Sequence, residues 1–261
     1  MKLKGSPLKE IILKNKLKRL DIILVRSKRG VFPWLIRFGT KSYWNHVAAI
    51  FVIRNIDKGF DNTFIIESST AGVDIHNFYD EYLAQPHKYD IGIKRINAKW
   101  LNNDKNGLVI RKLIRGQLLN AIDADYDYNL LARIGKNILK NFILFNKLIY
   151  KGIRKYNVKS IKFHKNIPSK YICSGYIQHT IYKVVKDLIK KKKYGLKEKH
   201  LDDIIFNPFF KKSDDEEILL STTPADFANS DKLDWKYIVK DGVVYEIKNK
   251  KEVEKILKRK S

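Results

Sequence analysis

Between Asp21 and Ile96 the chain is cut into short β-branched runs, and past Lys105 the apolar period changes from two to about 3.6. That division is the strongest constraint on the fold. The runs DIILVR (Asp21 to Arg26), HVAAIFVI (His46 to Ile53), TFIIES (Thr63 to Ser68) and YDIGIKRI (Tyr89 to Ile96) read as about four strands. A polar turn holding Asn55, Asp57 and Gly59 joins the second and third as an antiparallel hairpin, and a helix is expected from Asn77 to Leu83. Beyond them Leu108, Lys112, Arg115 and Leu119 mark a helix that ends near the Asp123 to Tyr128 turn. From Leu130 to Lys155 apolar residues recur at three and four with lysines on another side, which predicts a cationic amphipathic helix. Pro168 closes a loop before YICSGYIQHTIYKVVKDLIKK, the clearest helical pattern in the chain. Strands gathered before helices give an α+β class, an antiparallel sheet packed against helices.

The remaining segments are read from local signals. The stretch up to Glu217 mixes charges and aromatics as a loop, and TTPADFANS predicts a short helix capped near Thr223 with proline first. Asp241-Gly242 marks the turn of a closing hairpin, WKYIVKDGVVYEIKN. Residues 1–20 form a basic helix or loose arm, 21–245 the main domain with a basic helical insertion at about 130–165, and 246–261 a basic tail in which Lys250 to Ser261 is expected to fray.

Composition narrows the chemistry. With 53 Lys+Arg against 28 Asp+Glu the net charge is +25, which attracts anionic partners or reflects a lysine-rich coding bias. The basic residues are spread out and mainly lysine, without the aromatic and arginine clusters of a base-reading surface, so nucleic acid is a weak expectation. A single cysteine allows neither an internal disulfide nor a cysteine-rich zinc site, and no cofactor or metal is called for. No run reaches the roughly 20 apolar residues of a membrane span, and the first 20 residues lack a secretory signal's apolar core. The expectation is a soluble or peripheral protein.

Cys173 opens the clearest helix, where free backbone N–H groups and the helix dipole favour a thiolate; the plain alternative is a small buried hydrophobe. His46 begins a strand at the sheet's edge and can act as a base, although a lone histidine is commonly a surface residue. Glu67 ends the paired strand, and in simple register the two side chains emerge at the same end of the sheet, where a carboxylate can hold the imidazole. Tyr43, Tyr171 and Ser174 are candidate oxyanion or substrate contacts, tyrosines beside a core being otherwise packing residues.

The segments DIILVR, NHVAAIFVI, FIIESSTAGVDI, YDYNLL, YICSGYIQ and TTPADFANS resemble, in the same order from about Asp21 to Ser230, the permuted papain-like cysteine hydrolases of the YiiX/YaeF type. These belong to the NlpC-like superfamily, with lecithin retinol acyltransferase and poxvirus relatives. The resemblance implies a circularly permuted papain-like fold, with Cys173 as nucleophile, His46 as base and Glu67 as the third polar residue. The implied activity is a cysteine hydrolase or acyltransferase working through an acyl-thioester on a lipid or peptide-like substrate. The basic segment 130–155 is expected to meet an anionic membrane surface. The rival expectation is a non-catalytic basic binding protein, for a membrane surface or nucleic acid, on an inert scaffold.

Overall fold

The computed structural model describes residues 6–7, 17–53, 63–102, 105–122, 124–127, 129, 170–211 and 216–258. The predicted cationic helix at 130–155, the 54–62 turn and most of the basic arm lie outside the described residues. The chain is an α+β protein built on one antiparallel sheet. Its strands are β1 (Ser6–Pro7), β2 (Ile22–Ser27), β3 (His46–Ile53), β4 (Thr63–Ser69), β5 (Gly72–Asn77), β6 (Tyr89–Ile96), β9 (Leu233–Lys240) and β10 (Val243–Glu246), in the order β1-β10-β9-β6-β2-β3-β4-β5. Seven strands carry the sheet, and the two residues of β1 extend it at one edge. A separate parallel pair joins β7 (Asp125–Tyr126) to β8 (Lys170–Tyr171).

The four predicted strands form where their β-branched runs fall, and three more complete the sheet. One of them, β5, was not foreseen: Gly72 to Asn77 is polar at Asp74 and His76, and pairs with β4 through the tight turn at Thr70-Ala71. The helix expected at Asn77 to Leu83 is a single π-helical turn, Tyr79–Leu83. Asp241 and Gly242 both have positive φ, 52° and 76°, the backbone of the hairpin turn their sequence predicts.

Two apolar layers flank the sheet. On one face Ile22, Leu24, Val47, Ala49 and Ile66 pack against helices α3 (Lys105–Leu119) and α4 (Cys173–Lys190), the latter through Tyr176, Ile177 and Ile181. On the other, Ile23, Val25, Ala48, Ile50, Ile65, Ile91 and Ile93 lie with Phe78, Tyr82 and Leu83 of the π turn. The predicted helix α5 (Pro224–Asn229) starts as expected, Thr223 capping Asp226 and Asp226 returning the bond to the Thr223 N–H. The loop expected up to Glu217 contains two 3-10 segments, Glu198–Ile204 and Glu216–Ser221.

Three helices also differ from the sequence reading. The fraying expected from Lys250 is not found over its first eight residues: Lys250–Leu257 is a helix, α6, N-capped by Asn249, and it buries Val253 and Ile256 against Ile238 and Ile247. Two apolar residues three apart on a helix suffice to dock it on the last hairpin. Val31–Thr40 is also a helix, α1, and Lys99–Asn102 a short α2 before α3.

Candidate active site

The site forms where β3 begins. The pairing sets Ala48 opposite Glu67, so His46, two residues earlier, lies diagonally across from the carboxylate on the same face of the sheet. His46 Nε2 stands 2.6 Å from Glu67 Oε2. The Tyr82 hydroxyl donates to the same oxygen at 2.7 Å, and His76 Nε2 is 3.8 Å from Oε1. Glu67 is buried and therefore costly to ionise, yet the His46 charge and hydrogen bond, the Tyr82 bond and the His76 charge together hold its pKa below the ordinary value.

Cys173 approaches from the other layer. The residue before it, Ile172, is extended (φ −95°, ψ 153°), and the helix starts at Cys173 with no side-chain cap. The sulfur hydrogen-bonds the His46 imidazole and receives the Val47 N–H. Since Nε2 is taken by Glu67, Nδ1 is the nitrogen left for the sulfur. Burial opposes charge on the thiol, but the His46 charge, its hydrogen bond, the Val47 N–H and Ser174 outweigh it and lower the thiol pKa. Burial likewise pushes His46 down, while Cys173 and Glu67 draw it up to about 10. Both shifts favour a thiolate–imidazolium pair with a carboxylate behind it. Cys173 is 4% exposed and the His46 side chain 16%, so the pair is open to solvent mainly on the imidazole side.

The backbone around the cysteine is tightly held. Ser174 Oγ donates to the Thr222 carbonyl at 2.5 Å. Gly175 lies so near Leu220 that a Cβ there would come within 1.8 Å of its carbonyl oxygen. Only glycine lets the 3-10 segment press against the first turn of α4.

Of the residues singled out in the sequence, Cys173, His46 and Glu67 come together. Ser174 is fully buried, 4.0 Å from the sulfur, with its proton given to Thr222. Tyr43 corrects its expectation as an oxyanion donor: its hydroxyl donates to Asp90 at 2.6 Å, under the Arg26 guanidinium 4.0 Å from the ring. Burial and the Asp90 carboxylate raise its pKa, so that proton is committed. The Tyr171 side chain lies outside the described residues. Tyr82 and His76 were not foreseen as parts of the site. His76 alternates with Asp74 on β5, a period-two signal for the face shared with Glu67, whereas nothing in YDEYL marks Tyr82. Among the described residues no group of three His, Cys, Asp or Glu is arranged to hold a metal, and no helix is long and apolar enough to cross a membrane.

Compared with known proteins, the chain matches no family model and no curated protein.

Proposed function

We propose that the protein is a cysteine hydrolase or acyltransferase of the permuted papain-like, NlpC-related kind, cleaving an amide or ester bond on Cys173. The observation that carries the reading is the hydrogen-bonded chain Cys173–His46–Glu67, with the sulfur at the start of α4. The order of strands bearing His46 and Glu67 before the helix bearing Cys173 is the order a permuted papain-like domain requires, and it supports that finer description of the fold.

In this mechanism the Cys173 thiolate attacks the acyl carbon, and the oxyanion is met by the Cys173 backbone N–H at the helix N-terminus. The His46 imidazolium gives its Nδ1 proton to the leaving amine or alcohol, forming the acyl-thioester. Water, deprotonated by the now neutral His46, releases the acid in a hydrolase; an acceptor alcohol or amine takes the same place in a transferase. Glu67 keeps the imidazole oriented and favours its protonated form.

A chloroacetamide probe tests the reading. Cys173 should be labelled far faster than free cysteine near pH 6, and His46→Ala should remove the advantage. A screen of lipid and peptide amides should then find turnover that Cys173→Ala abolishes. Labelling no faster than free cysteine, with salt-sensitive binding to DNA, would instead favour the non-catalytic basic binder.

A further inference from the structure

Helix α1 carries its apolar stripe on the wrong side for a core. Val31, Trp34, Leu35 and Phe38 fall at i, i+3, i+4 and i+7, the spacing that normally turns inward, yet no residue of the helix is buried. Val31 is 75% exposed, Trp34 52% and Leu35 47%, with Phe32 and Phe38 also exposed. The Trp34 and Phe38 rings stack on each other, centroids 5.3 Å apart. The helix is held from behind by Arg37, which donates to the Ser27 carbonyl and to Asn45 Oδ1. Exposed cations stand at both ends, Arg29 before the helix and Lys41 after it, and no acidic residue occurs from Ser27 to Asn45.

We propose that α1 is an interfacial docking helix for an anionic phospholipid surface, with Trp34, Leu35, Phe38 and Val31 entering the headgroup layer and Arg29 and Lys41 meeting lipid phosphates. Tryptophan, phenylalanine and leucine on one face flanked by basic residues are the composition of helices that lie in that layer. The charge of +25 supplies the matching long-range attraction. A protein partner fits less well, because a helix of ten residues is about 15 Å long, and its one stripe falls far short of the roughly 800 Å² each partner gives to a stable complex. The site is a few residues away: Lys41 to Asn45 lead from α1 directly into His46. Docking does not require Cys173 to react, but it would bring lipid acyl groups to the side from which the imidazole is reached.

The test uses the full chain carrying Cys173→Ala, so that binding is read apart from chemistry. Co-sedimentation is measured with vesicles of phosphatidylcholine alone and of phosphatidylcholine mixed with phosphatidylglycerol. The expected result is recovery with the mixed vesicles only, reduced about tenfold or more by Leu35→Glu and separately by Val31→Glu. Both positions are surface ones, and unchanged circular dichroism and Tm show that the variants fold. Brominated lipid should quench tryptophan fluorescence, and Trp34→Phe should keep binding while losing most of the quenching. Equal binding by the native chain and both glutamate variants would overturn the proposal, placing lipid contact elsewhere. So would a dimer in solution that Leu35→Glu dissolves, because a second copy would then cover the stripe.

Discussion

Glu67→Gln isolates the charge behind the imidazole. Glutamine is the same size, and its carbonyl can still accept from His46 Nε2 and the Tyr82 hydroxyl, which both use Oε2 in the native chain. What disappears is the negative charge. A hydrogen bond to a charged partner is worth about 1.5–3 kcal/mol, and one pKa unit about 1.4 kcal/mol, so the loss is about one to two units. His46, drawn up to about 10 by Cys173 and Glu67 against the pull of burial, should therefore titrate roughly one to two units lower in the variant. The assay is NMR titration of the ¹³C/¹⁵N-labelled His46 ring, with thiolate absorbance followed in parallel. Because His46 lowered by about one to two units still carries its charge where the thiol titrates, the acid limb of the thiolate should not rise. An unchanged His46 midpoint in Glu67→Gln would refute the reasoning, and so would a native His46 titrating near its ordinary 6.5.

Other consequences can be measured without a substrate. For the pH dependence of stability, His46 has a folded pKa above its ordinary 6.5, so its contribution is complete below 6.5 and fades as pH rises to about 10. Cys173 has a folded pKa below 9.0, so its contribution is complete above 9.0 and fades as pH falls through the lowered value. The two slopes offset each other up to about pH 9, and urea midpoints of the native chain should stay nearly level there; a steady loss of stability from pH 6.5 upward would count against the ion pair. Gly175→Ala should lose about 2 kcal/mol or more, because a Cβ 1.8 Å from a backbone oxygen puts the overpacking cost at or above the ~3 kcal/mol end of its range, against the up to ~1 kcal/mol that alanine adds to a helix, and a raised Tm would show that Leu220 yields freely. Arg95→Leu removes both nitrogens that pair with Asp21 at 2.7 Å and leaves a carboxylate 1% exposed without its counter-ion, still held by the Lys18 N–H, so chemical denaturation should report a loss of about 3 kcal/mol; a change under about 1 kcal/mol would mean the carboxyl is simply protonated.

How far the sequence could be read depended on periodicity. Strands β2, β3, β4 and β6 and helix α4 carry long, unmixed patterns, and their limits lie within a residue or so of those expected. Strand β5 was missed because its alternation is polar on both sides of Ile75, as suits a sheet edge. Helix α1 was missed although its stripe has helical spacing, because Gly30 and Pro33 resemble loop punctuation and the stripe has no core to face. The triad residues were legible from strand ends and a helix start, since those positions follow from the elements. Tyr82, Gly175 and the Tyr43–Asp90 bond were not, because each depends on which segments the fold brings together across 15, 45 and 47 residues.

The same dependence explains how the site stays poised. A buried thiolate and imidazolium are each expensive alone, and the fold offsets that cost from three directions at once. Glu67 comes from the sheet, the Val47 N–H from the strand that bears the histidine, and the free helix start from α4. None of these would hold the pair without the others: β3 sets His46 within reach of Glu67, while Val47 on the opposite face packs in the core that fixes α4. Arg37 adds a link outward, fastening α1 to Asn45, the residue before His46, whose N–H is itself bonded to the Val25 carbonyl. A tilt of α1 on a lipid surface would therefore act first on the backbone that aims the imidazole. Arg37→Leu should accordingly leave the vesicle affinity of the apolar stripe in place while altering the rate at which Cys173 is alkylated, and equal alkylation rates would show that α1 and the site move independently.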